Sequence, residues 1–119
     1  MIPPLLLGDS VIMKHSPQTP QCALALQEAF DAAEFDKGEF QNVFATHQQC
    51  SRMISDRRIR GVKFTGSTAS GKRVAVECAQ NIKQTNLELG GNDPFVVLKD
   101  ADMEKAVDAA FTSRMLNNG

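Results

Sequence analysis

The chain has 119 residues, 42% of them hydrophobic, and its 13 basic and 14 acidic side chains give a formal net charge of −1. This composition is typical of one globular domain and excludes collagen-like and low-complexity proteins. No hydrophobic run approaches the ~18 residues that cross a bilayer, so we expect no membrane partner. We find no secretion or transit signal after Met1. Three widely spaced cysteines indicate reduced thiols, and we expect a cytoplasmic protein, with an organelle as the alternative.

Short runs typical of β-strands alternate with segments whose hydrophobic residues recur at helical spacing. Thr19 and Pro20 are typical of a helix start, and Asp100 or Asp102 is expected to cap the last helix. The alternation predicts βαβ units, and so an α/β fold with a parallel sheet. The predicted elements in chain order are a strand at 10–14, a helix from 20 to about 34, a strand at 40–44, a helix at 46–55, a strand at 61–65, a glycine-bounded loop at 66–71 that leads into a helix reaching 82, strands at 87–89 and 94–98, and a helix from 103 to 114.

The glycine-bounded loop runs from Gly66 to Gly71 between a predicted strand and a predicted helix. Such a loop exposes backbone N–H groups and the positive end of the helix dipole, and its small residues let a phosphate approach. The loop and Lys72 fit the first part of a P-loop, but Arg73 stands where a P-loop has the Ser or Thr that binds Mg²⁺. A helix start that merely needs small residues is the alternative.

Seven basic residues and one acid lie between Arg52 and Arg73, a local charge of +6. A solvated helix end is the simpler interpretation, and an anion site beside the glycine-bounded loop is the sharper one. We expect no nucleic-acid partner, because only Phe64 could stack on a base and one aromatic ring does not make a binding platform.

Glu88 lies between two leucines and directly before Gly90 and Gly91. On a strand the leucines share one face and the carboxylate lies on the other. The carboxyl end of a parallel strand is where α/β folds place ligands, and partial burial there would favour a general base. A solvated glutamate at the strand edge is the alternative.

We expect no metal site in the chain. His47 and Cys50 have a chelating spacing, but a closed zinc site usually shows two close pairs. Cys22 and Cys78 lie on predicted apolar helix faces, and Cys50 has no evident activating base, so no internal nucleophile is predicted.

Three motifs, by their order and spacing, resemble those of the aldehyde dehydrogenase superfamily. They are Phe64-Thr65-Gly66-Ser67 followed by Gly71, Leu87-Glu88-Leu89-Gly90-Gly91, and Asn117-Asn118-Gly119. The segment 90–95 resembles the succinate-semialdehyde dehydrogenase-like branch. The resemblance covers well under half of a complete member, so it implies that residues 1–119 are an incomplete cofactor-binding domain with a Rossmann-like parallel sheet.

The resemblance implies that the cofactor is NAD or NADP. It implies contacts to the adenosine ribose by Lys14, to the pyrophosphate by Ser67 and the backbone of Gly66 and Gly71, and to the nicotinamide by the carbonyl of Leu89. Pro17 stands where many NAD-preferring members carry a glutamate that meets the ribose, so both cofactors stay open.

The resemblance also implies that Glu88 is the general base that activates water to hydrolyse an acyl-enzyme. The cysteine nucleophile would lie three residues beyond Gly119, so we expect the chain alone to be inactive. The implied substrate is a small aldehyde such as succinate semialdehyde, and the complete enzyme is expected to be a homo-oligomer. The alternative function is a small nucleotide- or phosphate-binding module that uses the glycine-bounded loop without catalysis.

Overall fold

The computed structural model describes residues 2–117, and helices and strands alternate along them. The elements are α1 Ile2–Leu6, β1 Val11–Met13, α2 Pro20–Ala32, β2 Phe40–Asn42, α3 His47–Ser55, β3 Gly61–Gly66, α4 Thr68–Gln80, β4 Gln84–Leu89 and α5 Met103–Met115.

The strands form two parallel pairs, each with one helix as its crossover. β1 pairs with β2 and α2 connects them, while β3 pairs with β4 and α4 connects them. Neighbouring parallel strands require such a crossover connection, because a tight hairpin reverses the chain direction and makes the two strands antiparallel. The α/β prediction with a parallel sheet and flanking helices is therefore confirmed, as two strand pairs within the described residues.

One face of the β3–β4 pair packs on α4. Val62, Phe64, Thr85 and Leu87 are half-buried and alternate with exposed residues, so they share the face that α4 covers. α3 also packs against α4, where the Ser51 hydroxyl donates to Glu77 Oε1 at 2.9 Å. The second strand pair, α4 and α3 therefore form one packed unit.

The β1–β2 pair packs on α2 through aromatic rings. The Phe30 ring stacks on the Phe40 ring with centroids 4.0 Å apart, and it meets the Phe35 ring edge-on at 4.9 Å. Gln27 Oε1 accepts from the backbone N–H of Asn42 at 2.8 Å, which joins the helix to the edge of the strand. These contacts fix the first βαβ unit.

Local sequence signals explain where most helices start. Thr46 forms a capping box with Gln49, and Asp102 caps α5 by accepting from the amide of Lys105. Of the two predicted caps for the last helix, Asp102 is the correct one. Thr19 precedes α2 and Pro20 is its first residue as predicted, but the Thr19 side chain makes no capping hydrogen bond.

Two of the predicted strands and helices differ from the structure. The segment 94–98 is not a strand: it is exposed and unpaired within the described residues, and an apolar β run needs a neighbouring strand to hydrogen-bond to. Ile82 lies beyond α4 with a φ of 50° and is 96% exposed, because the helix ends at Gln80. No element is assigned from the sequence to residues 2–6, where α1 forms with Pro3 and Pro4 in the first turn, so that their missing N–H groups cost nothing.

The whole molecule is open rather than compact. Its radius of gyration is 19.2 Å, against about 13.5 Å for a compact domain of this length. Its accessible surface is 9935 Å², against about 6,300 Å² for a compact monomer of this mass. Among the described residues, the buried hydrophobic side chains are Ala23, Phe40, Ile54 and Cys78. The two βαβ units therefore share little core.

Candidate functional site

The start of α4 and the carboxyl ends of β3 and β4 meet at one edge of the second βαβ unit. β3 ends at Gly66, Ser67 is the N-cap, and α4 begins at Thr68. The predicted loop at 66–71 is therefore wrong for most of its length, because its last four residues form the first helical turn. The Ser-x-x-Ser pattern at 67–70 is the local reason, since a serine N-cap starts a helix early.

The first turn of α4 offers unpaired backbone donors. The Ser67 hydroxyl accepts from the amide of Ser70 at 3.3 Å and donates to the Ser70 hydroxyl at 3.1 Å, and the amide of Gly71 donates to the Ser67 carbonyl. The amides of Thr68 and Ala69 have no partner within residues 2–117. Sequence reasoning missed these two donors, because it placed the helix start at Gly71 rather than at the serine cap.

Gly66 and Gly71, on either side of the Ser67 cap, lie close to the side chains of other residues. A methyl group on Gly66 would lie 2.7 Å from the Phe64 ring, so a side chain there would displace the ring. Gly71 is buried, and a methyl group there would overlap Leu89 Cδ2 and lie 3.2 Å from Cδ1. A larger residue at either position would therefore require the Phe64 ring or the end of the Leu89 side chain to move.

Glu88 lies on the face of the strand pair opposite α4. In the parallel register Thr65 lies beside Glu88 and Gly66 beside Leu89, so both strands end at the cap of α4. Glu88 is exposed, and the same open face carries the polar side chains of Lys63 and Asn86 from the neighbouring register position. The partial burial considered for Glu88 is not found here, and its carboxylate is accessible to water.

Lys14 lies in the other strand pair. It directly follows β1 at that strand's carboxyl end, where it is half-buried. The structure therefore brings Gly66, Ser67, Gly71, Glu88 and Leu89 together and places Lys14 at the corresponding end of β1. Asn117 follows α5, and Gly119 lies outside the described residues.

The basic run is divided between the two ends of β3. Arg58 pairs with Asp56 at 2.7 Å before the strand begins, and Lys83 Nζ donates to the Asp56 carbonyl there. The hydrogen bonds from Arg58 hold the pKa of the Asp56 carboxyl well below its usual range. A six-residue strand spans about 20 Å, so this cluster does not act on the start of α4. Within the basic run, Lys72 and Arg73 lie in the early part of α4.

Within the described residues, neither the cavity beside α2 nor any cluster of metal-binding residue types contributes to this site. A cavity of about 500 Å³ lies between α2 and β2 and is lined by Gln27, Phe30, Phe40 and Asn42 among others, away from the start of α4. Within residues 2–117, no group of three or more His, Cys, Asp or Glu could hold a metal ion, and no helix has the length and apolar character of a membrane span.

The whole chain matches one family model, that of the aldehyde dehydrogenase family, over residues 1–119. The chain belongs to this family. The resemblance in the sequence motifs is thereby confirmed. The fold prediction is also supported, since solved aldehyde dehydrogenases share the parallel strand pairs and flanking helices.

Several relatives lie in the semialdehyde dehydrogenase branch. The chain is 44% identical over 117 residues to a probable NADP⁺ succinate-semialdehyde dehydrogenase of Synechocystis, which covers 98% of this chain and 26% of that protein. It is 42% identical to a glutarate-semialdehyde dehydrogenase of Pseudomonas aeruginosa, with coverage of 98% and 24%. The structure of succinic semialdehyde dehydrogenase from Streptococcus pyogenes with NADP⁺ is 35% identical, with a TM-score of 0.86 and coverage of 95% and 25%.

The chain thus spans about a quarter of the length of these aldehyde dehydrogenases. That fraction fits the open shape of the molecule, in which hydrophobic side chains such as Phe95, Val96 and Phe111 are more than half exposed. Surfaces of this kind are covered by further protein in stable folds.

Proposed function

We propose that the chain supplies the cofactor seat and the general base of an NAD(P)-dependent aldehyde dehydrogenase. The observation that carries this proposal is the register of the second βαβ unit. It puts Glu88 and the capped start of α4 at the same edge of one strand pair. Ligands of open α/β sheets bind outside the carboxyl ends of the strands, which is this edge.

The start of α4 fits the pyrophosphate of the cofactor. Two unpaired amides, Thr68 and Ala69, and the positive end of a 13-residue helix favour an anion there, and the first turn contains no acid that would repel it. Gly66 and Ser67 keep the approach free of bulky side chains. Lys14 would meet the adenosine ribose and the Leu89 carbonyl the nicotinamide, as the family resemblance implies. When bound, the cofactor would supply the hydride acceptor for oxidation of the aldehyde.

Glu88 is exposed on the open face of the strand pair, so water can reach its carboxylate. In the proposed step its carboxylate takes a proton from water while the water oxygen bonds to the acyl carbon of an enzyme thioester. The carbon–sulfur bond breaks, the thiolate leaves and the carboxylic acid forms. The resemblance places the thiol beyond Gly119, so the 119-residue chain alone is expected to be inactive.

We propose a small semialdehyde as substrate and NADP as the favoured cofactor. The support is the identity to relatives named as NADP⁺ succinate-semialdehyde dehydrogenase and glutarate-semialdehyde dehydrogenase. Pro17 adds support, because it cannot repel a 2′-phosphate as a carboxylate would. A cytoplasmic homo-oligomer is the form that we expect for the complete enzyme.

The test is oxidation of succinate semialdehyde by the complete protein that carries this chain. We expect reduced NADP and succinate to form in equal amounts, with a higher kcat/KM for NADP than for NAD. Glutarate semialdehyde and an unbranched aldehyde without a carboxylate serve as comparison substrates. Absence of turnover with all three would contradict the proposal, and ATP binding with Mg²⁺ in place of NADP would favour the phosphate-binding module instead.

A further inference from the structure

The contact between Gly71 and Leu89 joins the two halves of the candidate site. Gly71 lies in the first turn of α4, which is the proposed seat of the pyrophosphate, and Leu89 directly follows Glu88 on β4. The Leu89 side chain lies so close over Gly71 that one added methyl group would overlap it. We infer that Gly71 and Leu89 form a positioning contact that sets the place of Glu88 relative to the cofactor seat.

The alternation of side chains explains why this contact can position Glu88. Leu87 and Leu89 face α4, whereas Glu88 points to the opposite, open face of the strand pair. Glu88 therefore makes no direct contact with the helix that could fix it. Its place depends on the backbone at the end of β4, and the Leu89 side chain is what rests that backbone on α4.

The end of β4 has little other support. Gly66 is the register partner of Leu89 and provides no side chain, and Gly90 and Gly91 follow without a helix or strand. Glycine loses more conformational entropy on ordering than any other residue, so Gly90 and Gly91 do not by themselves keep the end of β4 in one position. The buried Gly71 position thus decides how closely the strand end approaches the helix.

This inference rests on the proposed function, and it names residues that act through Glu88 rather than on the substrate. The atoms that would be overlapped are the end of the Leu89 side chain, so a side chain at Gly71 would displace that end from α4 and remove a contact that supports the backbone at Glu88. The hydride step does not use the carboxylate, so the displacement should slow hydrolysis of the thioester more than formation of reduced cofactor. Misplacement of a reacting group by about 1 Å costs up to ~100-fold in rate.

The experiment compares Gly71→Ala with Gly61→Ala in the complete protein. Gly61 is a matched control, because it lies in the same strand pair at the far end and an added methyl group there makes only an ordinary contact, 3.4 Å from the Gln84 carbonyl. We expect Gly71→Ala to keep the first-turnover burst of reduced NADP and to lower the steady-state rate about 10- to 100-fold. Gly61→Ala should behave as the unchanged protein.

Two further measurements separate positioning from general damage. Hydroxylamine attacks a thioester without a protein base, forming a hydroxamate and freeing the thiolate, so it should restore turnover of Gly71→Ala. Leu89→Ala removes the same contact from the side of the strand, so we expect it to lower the steady-state rate and keep the burst, as Gly71→Ala does. Equal loss of burst and steady state, no effect of hydroxylamine, or an unchanged steady-state rate in Leu89→Ala would each overturn the inference.

A readout without the cofactor distinguishes this inference from the proposed function. In the cofactor-free protein, Gly71→Ala should speed amide hydrogen exchange at Glu88, Leu89 and Gly90, and Gly61→Ala should not. If the unchanged protein forms no reduced cofactor, the proposed function is wrong. The exchange result then still shows whether the contact between Gly71 and Leu89 positions the end of β4. If exchange at the end of β4 is the same in all variants, the positioning contact is wrong.

Discussion

At the residue scale, Ser67 has two roles that can be separated. Its hydroxyl caps α4 through Ser70, and it also borders the amides of Thr68 and Ala69, where we place the pyrophosphate. Because the hydroxyl is already engaged by Ser70, the neighbouring amides, rather than this side chain, are the donors ready for an anion. The cap explains why a serine here starts the helix, and the open amides explain why the start can bind.

Substitutions of Ser67 in the complete protein test this division. Ser67→Ala removes the cap and should lower the free energy of unfolding by about 1 kcal/mol. Ser67→Asp keeps a capping oxygen but adds a negative charge at the anion seat, so it should preserve stability and weaken NADP binding. Ser67→Asn is the matched control, since it caps without charge. Thermal unfolding and calorimetric titration measure the two effects, and unchanged NADP affinity in Ser67→Asp would place the pyrophosphate elsewhere.

At the element scale, sequence patterns predicted the parts that depend on local chemistry. The Asp102 cap and the alternation of Leu87, Glu88 and Leu89 were predicted in this way, because they follow from neighbouring residues. The capping box of Thr46 and Gln49 was not predicted, although it also depends on neighbouring residues. The apolar run at 94–98 could not be placed correctly from its pattern, because strand formation needs a hydrogen-bond partner that the described residues do not supply. Likewise, the packing of Leu89 on Gly71 is a tertiary contact with no signal in the spacing.

The Asp102 cap makes the start of α5 sensitive to acid. Hydrogen bonds from the Lys105 amide and side chain lower the pKa of Asp102 in the folded state. The stabilisation is therefore complete above the unfolded pKa of about 3.9 and is lost as the pH falls below it. We expect the protection of the Lys105 and Ala106 amides from exchange, measured relative to the intrinsic rate at each pH, to fall below that pH. Asp102→Asn, which caps without titrating, should remove this pH dependence; the same loss of protection in the variant would contradict the cap.

The start of α3 offers a second prediction at this scale. Thr46→Ala removes the hydroxyl that accepts from the Gln49 amide, and it should lower the free energy of unfolding by about 1 kcal/mol. Thr46→Ser keeps the hydroxyl and should cost much less. Chemical unfolding of the complete protein measures both, and equal losses in the two variants would show that the capping box does not stabilise α3.

At the scale of the whole molecule, the large exposed hydrophobic surface determines how stable and how soluble we expect the chain to be. The accessible area of 9935 Å² exceeds that of a compact monomer of this mass by about 3,600 Å². One side of α5 shows the same exposure, with Met103, Val107, Phe111 and Met115 at four-residue spacing and each more than half exposed. The two βαβ units are therefore held together by few buried contacts.

The 119-residue chain by itself should consequently be weakly cooperative. We expect a broad thermal transition, binding of a dye that reports exposed hydrophobic surface, and association that rises with protein concentration. Sedimentation and calorimetry of the isolated chain measure these properties. A sharp, cooperative melt of a monomer would show that the chain stabilises itself in a more compact form.

The proposed function requires that Glu88 is the general base of an aldehyde dehydrogenase whose cofactor lies at the start of α4. The most direct measurement is rapid mixing of the complete protein and its Glu88→Gln variant with succinate semialdehyde and NADP. We expect the variant to form one equivalent of reduced NADP in a burst and then to turn over at least ~100-fold more slowly than the unchanged protein, because general-base catalysis is lost. Steady turnover of the variant at the unchanged rate would contradict it.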